Sequence, residues 1–106
     1  MKDEDLTIDE VKEGEVTRFF LKGRVNSLSA NVLQHKLNEA FRSGRTNVIV
    51  NMMEVAFLSS AGIKVLLMFY KRAGDIGGSF YVESPSENVI NVLGMTALDE
   101  MLFSRE

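Results

Sequence analysis

Three features of this 106-residue chain predict an α/β fold: a mixed sheet of four to five strands with about four helices. Segments with the two-residue apolar period of strands alternate with segments carrying the longer period of helices, an order that implies parallel pairing through right-handed crossovers. Two strand-like runs precede the first helix with only Glu13-Gly14-Glu15 between them. A leading antiparallel hairpin therefore makes the sheet mixed, with helices on one or both faces. The third feature is the balance of 45% hydrophobic and 25% charged residues with no repeat, low-complexity tract or linker, which suits one core and one domain over residues 1–106.

Each element has its own signal. Leu6 and Ile8 alternate with polar residues, and the strand is expected to reach Val11. The second strand, Val16 to Leu21, is rich in β-branched and aromatic residues and is expected to end at Gly23. Leu33, Leu37, Ala40 and Phe41 form one stripe of a first helix. Ser29 is its expected N-cap, with Asn26 and Ser27 as rivals, and Gly44 its stop. Asn47 to Met53, with Val48-Ile49-Val50, has the continuous apolar character of a strand covered on both faces. A second helix is expected from Ser60 to Ala73, closed by Gly74 and Gly77-Gly78, followed by a strand from Ser79 to Glu83. Ser84-Pro85-Ser86-Glu87 reads as a capping box with Ser84 at the N-cap, Pro85 at N1 and Glu87 at N3. The helix behind it turns Val89, Ile90 and Leu93 inward and stops at Gly94. Thr96-Ala97-Leu98-Asp99 repeats a weaker box before a short helix with Leu98, Met101 and Leu102. Of the six methionines, Met68 and Met101 fit core positions, while Met52, Met53 and Met95 stand near element ends.

Composition removes several function classes. A formal net charge of -3 argues against nucleic acid as the main partner, since phosphate backbones recruit basic faces. With no cysteine and one histidine, thiolate chemistry and a metal or cofactor site have no support. The longest apolar stretch, Val65 to Tyr70, is far short of a membrane span, and the acidic start Asp3-Glu4-Asp5 lacks the apolar core of a signal peptide. A cytoplasmic protein is expected. Gly77-Gly78 sits in no phosphate-loop motif and reads as a tight turn.

One segment interrupts this ordinary pattern. In Val55-Ala56-Phe57-Leu58-Ser59-Ser60-Ala61-Gly62-Ile63-Lys64-Val65, two hydroxyls and a glycine break a nearly continuous apolar stretch where a helix should begin. Serine there is a favoured cap whatever the function. A hydroxyl there also faces unpaired N–H groups that welcome an anion, which suits a phosphorylatable serine. A nucleophile elbow would need Gly-x-Ser-x-Gly, and Leu58-Ser59-Ser60-Ala61-Gly62 lacks the first glycine. His35 lies off the Leu33/Leu37 stripe and reads as a solvated side chain rather than a base, so no enzyme is expected.

The element order and this serine segment together resemble the STAS domain, and within it the bacterial anti-sigma-factor antagonists. In that alignment of motifs Ser60 falls on the family's phosphorylated serine, with Ser59 as the rival acceptor, and Ala61 and Gly62 match the small pair that follows it. Leu21-Lys22-Gly23-Arg24-Val25, the Gly77-Gly78-Ser79-Phe80 stretch and the Ser84-Pro85 helix start agree as well. Two positions depart: Ser59 and Asn26 stand where the family commonly carries acids. The resemblance implies partner switching, in which an anti-sigma factor that is also a serine kinase binds the protein and phosphorylates Ser60. Asn26, Ser59, Ala61, Gly62 and Lys64 would line the partner's footprint, with the small residues allowing close approach. A phosphatase is a further candidate partner. The alternative it implies is a STAS scaffold that is never phosphorylated, a subunit of a larger signalling or lipid-transport complex.

Overall fold

The computed structural model describes residues 5–95 and 98–103, so the expected Thr96 cap lies outside the described residues. The chain runs β1 (Leu6–Glu13), β2 (Val16–Val25), α1 (Ser29–Arg42), β3 (Asn47–Leu58), α2 (Ser60–Asp75), β4 (Ser79–Glu83), α3 (Glu87–Met95) and α4 (Asp99–Leu102). The four strands lie side by side in chain order. β1 and β2 pair antiparallel from Glu13 opposite Val16 to Leu6 opposite Gly23, around a turn in which Gly14 takes φ 65°. β2, β3 and β4 are parallel, and each crossover carries one helix.

The apolar alternation of the strands places the core. Leu6 and Ile8, Thr17, Phe19 and Leu21, Val48, Val50 and Met52, and Phe80 and Val82 are all buried, and the register puts them on one face. Leu33, Leu37, Ala40 and Phe41 of α1 pack there with Val65, Leu66, Phe69 and Ala73 of α2. The opposite face stays open: Val11, Phe20 and Tyr81 are each 40% exposed. Two expectations are thereby corrected. β3 is covered on one face only, because Asn47 and Asn51 share the outer face with Ile49 and keep it half-exposed. Val11 belongs to the open face, because Glu10 takes the inward position and is held by ion pairs: its carboxylate lies 3.1 Å from Lys36 Nζ and 3.0 Å from Arg45 Nη2.

Gly23 does not end β2. It takes φ 115° at a register shift, and the strand continues to Val25. A side chain at Gly23 would collide with the carbonyl oxygen of Asp5, which accepts the Arg24 N–H at 2.7 Å. Both long helices are followed by a glycine in the left-handed region, but α2 runs two residues past its expected end at Ala73, because Gly74 keeps a helical backbone and does not stop it. Gly44 (φ 84°) follows α1, and Gly77 (φ 77°) follows α2, where the Gly78 N–H closes back on Ala73 O at 2.7 Å.

The start of α3 differs from expectation by two residues. Ser86 is the cap: its hydroxyl oxygen accepts the Val89 N–H at 3.2 Å and its carbonyl accepts the Ile90 N–H at 2.9 Å. The same hydroxyl donates to Val55 O at 2.6 Å, tying α3 to β3, while Ser84 sits in the preceding turn at φ 45°. That tertiary bond selects Ser86 over Ser84. Ile90 is consequently 45% exposed, while Val89 and Leu93 fill the core. Among the methionines Met52 is fully buried, whereas Met68 and Met101 are each 40% exposed rather than core residues.

Candidate functional site

The carboxyl ends of β2 and β3 and the amino ends of α1 and α2 meet at one edge of the molecule, where open parallel sheets place their ligands. The Ser59 N–H donates to Val25 O at 2.9 Å, so the chain leaving β2 and the chain entering α2 are joined directly.

The two serines have separate duties. Ser59 is the N-cap of α2, with φ -81° and ψ 168°, and its hydroxyl accepts the Gly62 N–H at 3.1 Å. Its carbonyl accepts the Ile63 N–H at 3.0 Å, the first bond of the helix. Ser60 is the first residue of α2, is exposed, and its hydroxyl has no hydrogen-bond partner among the described residues. The N–H groups of Ser60 and Ala61 precede the first helical bond and are two of the orphan donors that make a helix start electropositive.

The small pair after Ser60 also divides. Ala61 is half-exposed and borders a groove between α1 and α2. Gly62, expected to clear space for a partner, is buried and faces inward. A β-carbon there would lie 2.7 Å from both Leu58 Cδ1 and Val25 Cγ1. Its smallness seats the first turn of α2 on the strand ends. Lys64 is exposed one turn beyond Ser60, on the same face of the helix.

Asn26 begins the neighbouring helix. Its side-chain oxygen accepts the N–H groups of Leu28 at 3.0 Å and Ser29 at 2.8 Å, and its carbonyl accepts the Ala30 N–H at 2.9 Å. Ser29 reciprocates by accepting the Asn26 N–H at 2.8 Å and donates its own proton to Arg24 O at 2.7 Å. This is a capping box run on asparagine and serine, and it gives the cap to Asn26 rather than Ser29. The amide nitrogen of Asn26 donates to Asp5 Oδ2 at 2.6 Å. A carboxylate thus stands beside this position, delivered by the residue that precedes β1.

Two residues of the site escape a reading of the linear sequence. Asp5 belongs to an acidic run that looks like a solvated terminus; only the tight turn at Gly14, followed by pairing back to Leu6, brings it to Asn26. Arg24 lies over the Phe57 ring at 4.6 Å, with Phe57 37% exposed, a pair made by the Arg24–Phe57 register of β2 and β3. His35 stands on α1, 3.2 Å from the Glu39 carboxylate. Among the described residues no cluster of three or more His, Cys, Asp or Glu is placed to hold a metal, and no helix is long and apolar enough to cross a membrane.

The architecture matches solved structures. An anti-sigma factor antagonist from Mycobacterium paratuberculosis superposes with a TM-score of 0.81 at 21% identity, covering 92% of this chain and 82% of its own. The anti-sigma factor antagonist SpoIIAA in its unphosphorylated form gives 0.79 at 19% identity over 95% of this chain and 88% of that one. The Bacillus cell fate determinant SpoIIAA in its phosphorylated form gives 0.73 at 18%, over 95% and 91%. At such identities the likeness is one of fold, and the fold is SpoIIAA-like. The sequence itself matches the family model described as STAS domain over residues 7–105, from the second residue of β1 to beyond α4. With strand order, helix placement and sequence pattern in agreement over nearly its whole length, this chain belongs to the STAS domain family.

Proposed function

We propose that this domain is a cytoplasmic, non-catalytic anti-sigma-factor antagonist that works by partner switching, with Ser60 as the phosphoacceptor. The observation that carries the proposal is the division between the serines. Ser59 spends its hydroxyl on the helix cap, whereas the exposed Ser60 hydroxyl at the start of α2 has no partner among the described residues. The fold shared with anti-sigma factor antagonists supports the same reading.

The unmodified protein docks on an anti-sigma factor that is also a serine kinase. The kinase transfers the γ-phosphoryl group of ATP: the Ser60 Oγ–P bond forms, the bond to the β-phosphate oxygen breaks, a base on the kinase takes the hydroxyl proton, and ADP leaves. A phosphatase hydrolyses the ester to reverse the step. The phosphate adds about -1.5 to -2 charges. Within this protein it meets the unpaired N–H groups of Ser60 and Ala61, and the helix dipole favours it by about 0.3–1 kcal/mol. A partner packed over Ala61 has no such compensation, because it must desolvate a dianion. The modification therefore changes affinity with little refolding. Asn26, capped on α1 and bonded to Asp5, and the Arg24–Phe57 pair border the same edge and complete the docking rim.

The test is incubation with Mg-ATP and the anti-sigma kinase, followed by mapping of phosphate by tandem mass spectrometry. Phosphate is expected on Ser60. Phosphate on Ser59, or none, refutes the assignment; none, with partner binding unchanged by Ser60→Asp, favours the unphosphorylated scaffold.

A further inference from the structure

A groove runs between α1 and α2, starting at Ala61 and ending about three turns further on at Arg72. Its two sections, of about 320 and 370 Å³, share Asn31, Gln34 and Met68. The floor is apolar near Ser60, where Ala30, Ala61 and Val65 line it, and Met68 stands half-exposed at its centre. An adaptable thioether in an open apolar trough is a surface for another molecule's side chains.

The charge of this groove sets it apart from the rest of the chain. The protein carries 15 acidic against 12 basic residues, yet among the described residues no carboxylate lines either section. Its two cations, Lys64 and Arg72, form no ion pair among the described residues. Lys64 is exposed, but Arg72 is half-buried, and the half-buried cations Arg18, Lys36 and Arg45 are all neutralised, Arg18 by Glu13 and Glu83, Lys36 and Arg45 by Glu10. Arg72 is nevertheless held in place. It donates to Asn38 Oδ1 at 2.8 Å and lies 5.2 Å and 5.6 Å from the ring centres of Phe41 and Phe69. A guanidinium fixed by stacking, with N–H donors to spare, is ready to receive a carboxylate. Lys64 and Arg72 are eight residues apart on one helix, roughly 12 Å along its axis.

We propose that this groove receives an acidic amphipathic helix of the protein partner. Apolar side chains of that helix lie over Ala61, Val65 and Met68, and its carboxylates meet Lys64 and Arg72. The partner and the phosphate rest on the function proposed above; the groove and its charge do not. Ser60 and Lys64 are one turn apart, so a phosphate on Ser60 draws Lys64 to itself and turns that end of the groove from cationic to anionic. Phosphorylation then expels the acidic helix by removing its counter-charge as well as by blocking close approach.

The probe is a designed helix of about 16 residues, roughly 24 Å long, with leucines on one face and glutamates flanking them two turns apart, titrated into the isotopically labelled full chain at low salt. Amide shifts are expected at Ala61, Lys64, Met68 and Arg72. Lys64→Glu and Ser60→Asp are each expected to weaken binding about tenfold, while Lys71→Glu, the same charge change on α2 outside the groove, leaves it unchanged. A peptide with lysine for glutamate is expected not to bind. No binding, equal binding by the lysine peptide, shifts on Phe20 and Tyr81 of the open sheet face, or groove shifts that appear on concentrating the protein alone each overturn the proposal. Phosphate mapping on Ser60 is read independently, so a groove that fails leaves the phosphoacceptor standing, and the converse.

Discussion

Ser59→Ala and Ser60→Ala, neighbours differing by one position, are expected to have opposite effects on stability and on phosphorylation. Ser59→Ala deletes the acceptor of the Gly62 N–H, a 3.1 Å bond in a turn where Gly62 is buried and water is a poor replacement. Loss of an N-cap costs about 1 kcal/mol, within a range of roughly 0.5–2, and for a domain near this size about 1 kcal/mol lowers the melting temperature by about 4–8 °C. Ser60→Ala removes an exposed hydroxyl with no partner among the described residues, and its effect should stay within about 0.5 kcal/mol. Thermal and urea unfolding of both variants give the stability order. Incubation with the anti-sigma kinase gives the other: Ser59→Ala retains phosphate uptake and Ser60→Ala loses it. If Ser60→Ala is the more destabilised variant, Ser60 carries the cap and the division of duties is wrong.

Other substitutions probe the scaffold beneath the site. Gly62→Ala places a methyl group 2.7 Å from Leu58 Cδ1 and Val25 Cγ1. Overpacking of about 1–3 kcal/mol outweighs the helix-propensity gain of about 1 kcal/mol, so the urea midpoint falls; a rise would show that the strand ends leave room. Glu10→Ala strips the shared counter-ion from Lys36 and Arg45, both less than a third exposed, and is expected to cost about 1–3 kcal/mol by chemical denaturation. Adding Lys36→Met to Glu10→Ala should recover part of that loss, and strict additivity would contradict the ion-pair reading.

What the linear sequence reveals depends on how local each interaction is. The stripes Leu33/Leu37/Ala40/Phe41 and Val65/Leu66/Phe69/Ala73 are periodic within one helix, so both long helices are legible, as are the stops at Gly44 and Gly77, though not the passage of α2 through Gly74. Where two residues compete for one role, a distant atom can decide. Ser86 rather than Ser84 caps α3 because Val55 O lies under it, whereas at α1 the choice is local: the Asn26 side-chain oxygen accepts the Leu28 and Ser29 N–H groups, and the Ser29 oxygen accepts the Asn26 N–H. Gly23 reads as a stop but is a bulge made to admit the Asp5 carbonyl, which comes from the far side of a hairpin. β3 runs five residues past its apparent end at Met53 because pairing with β2 at Glu54, Val55, Phe57 and Leu58 outweighs the broken alternation. At the site, the serine pair is visible in the sequence. Which serine is engaged depends on the Gly62 N–H that the Ser59 hydroxyl accepts, and the inward face of Gly62 depends on Val25 and Leu58.

The central claim is that charge on Ser60 controls partner affinity. Its most direct test is equilibrium binding of the anti-sigma kinase to the chain bearing phosphoserine at position 60 and to the unmodified chain, at one fixed salt concentration. The account predicts at least about a tenfold rise in Kd on phosphorylation, about 1.4 kcal/mol, with the fold of the two forms unchanged. Equal affinities would contradict it.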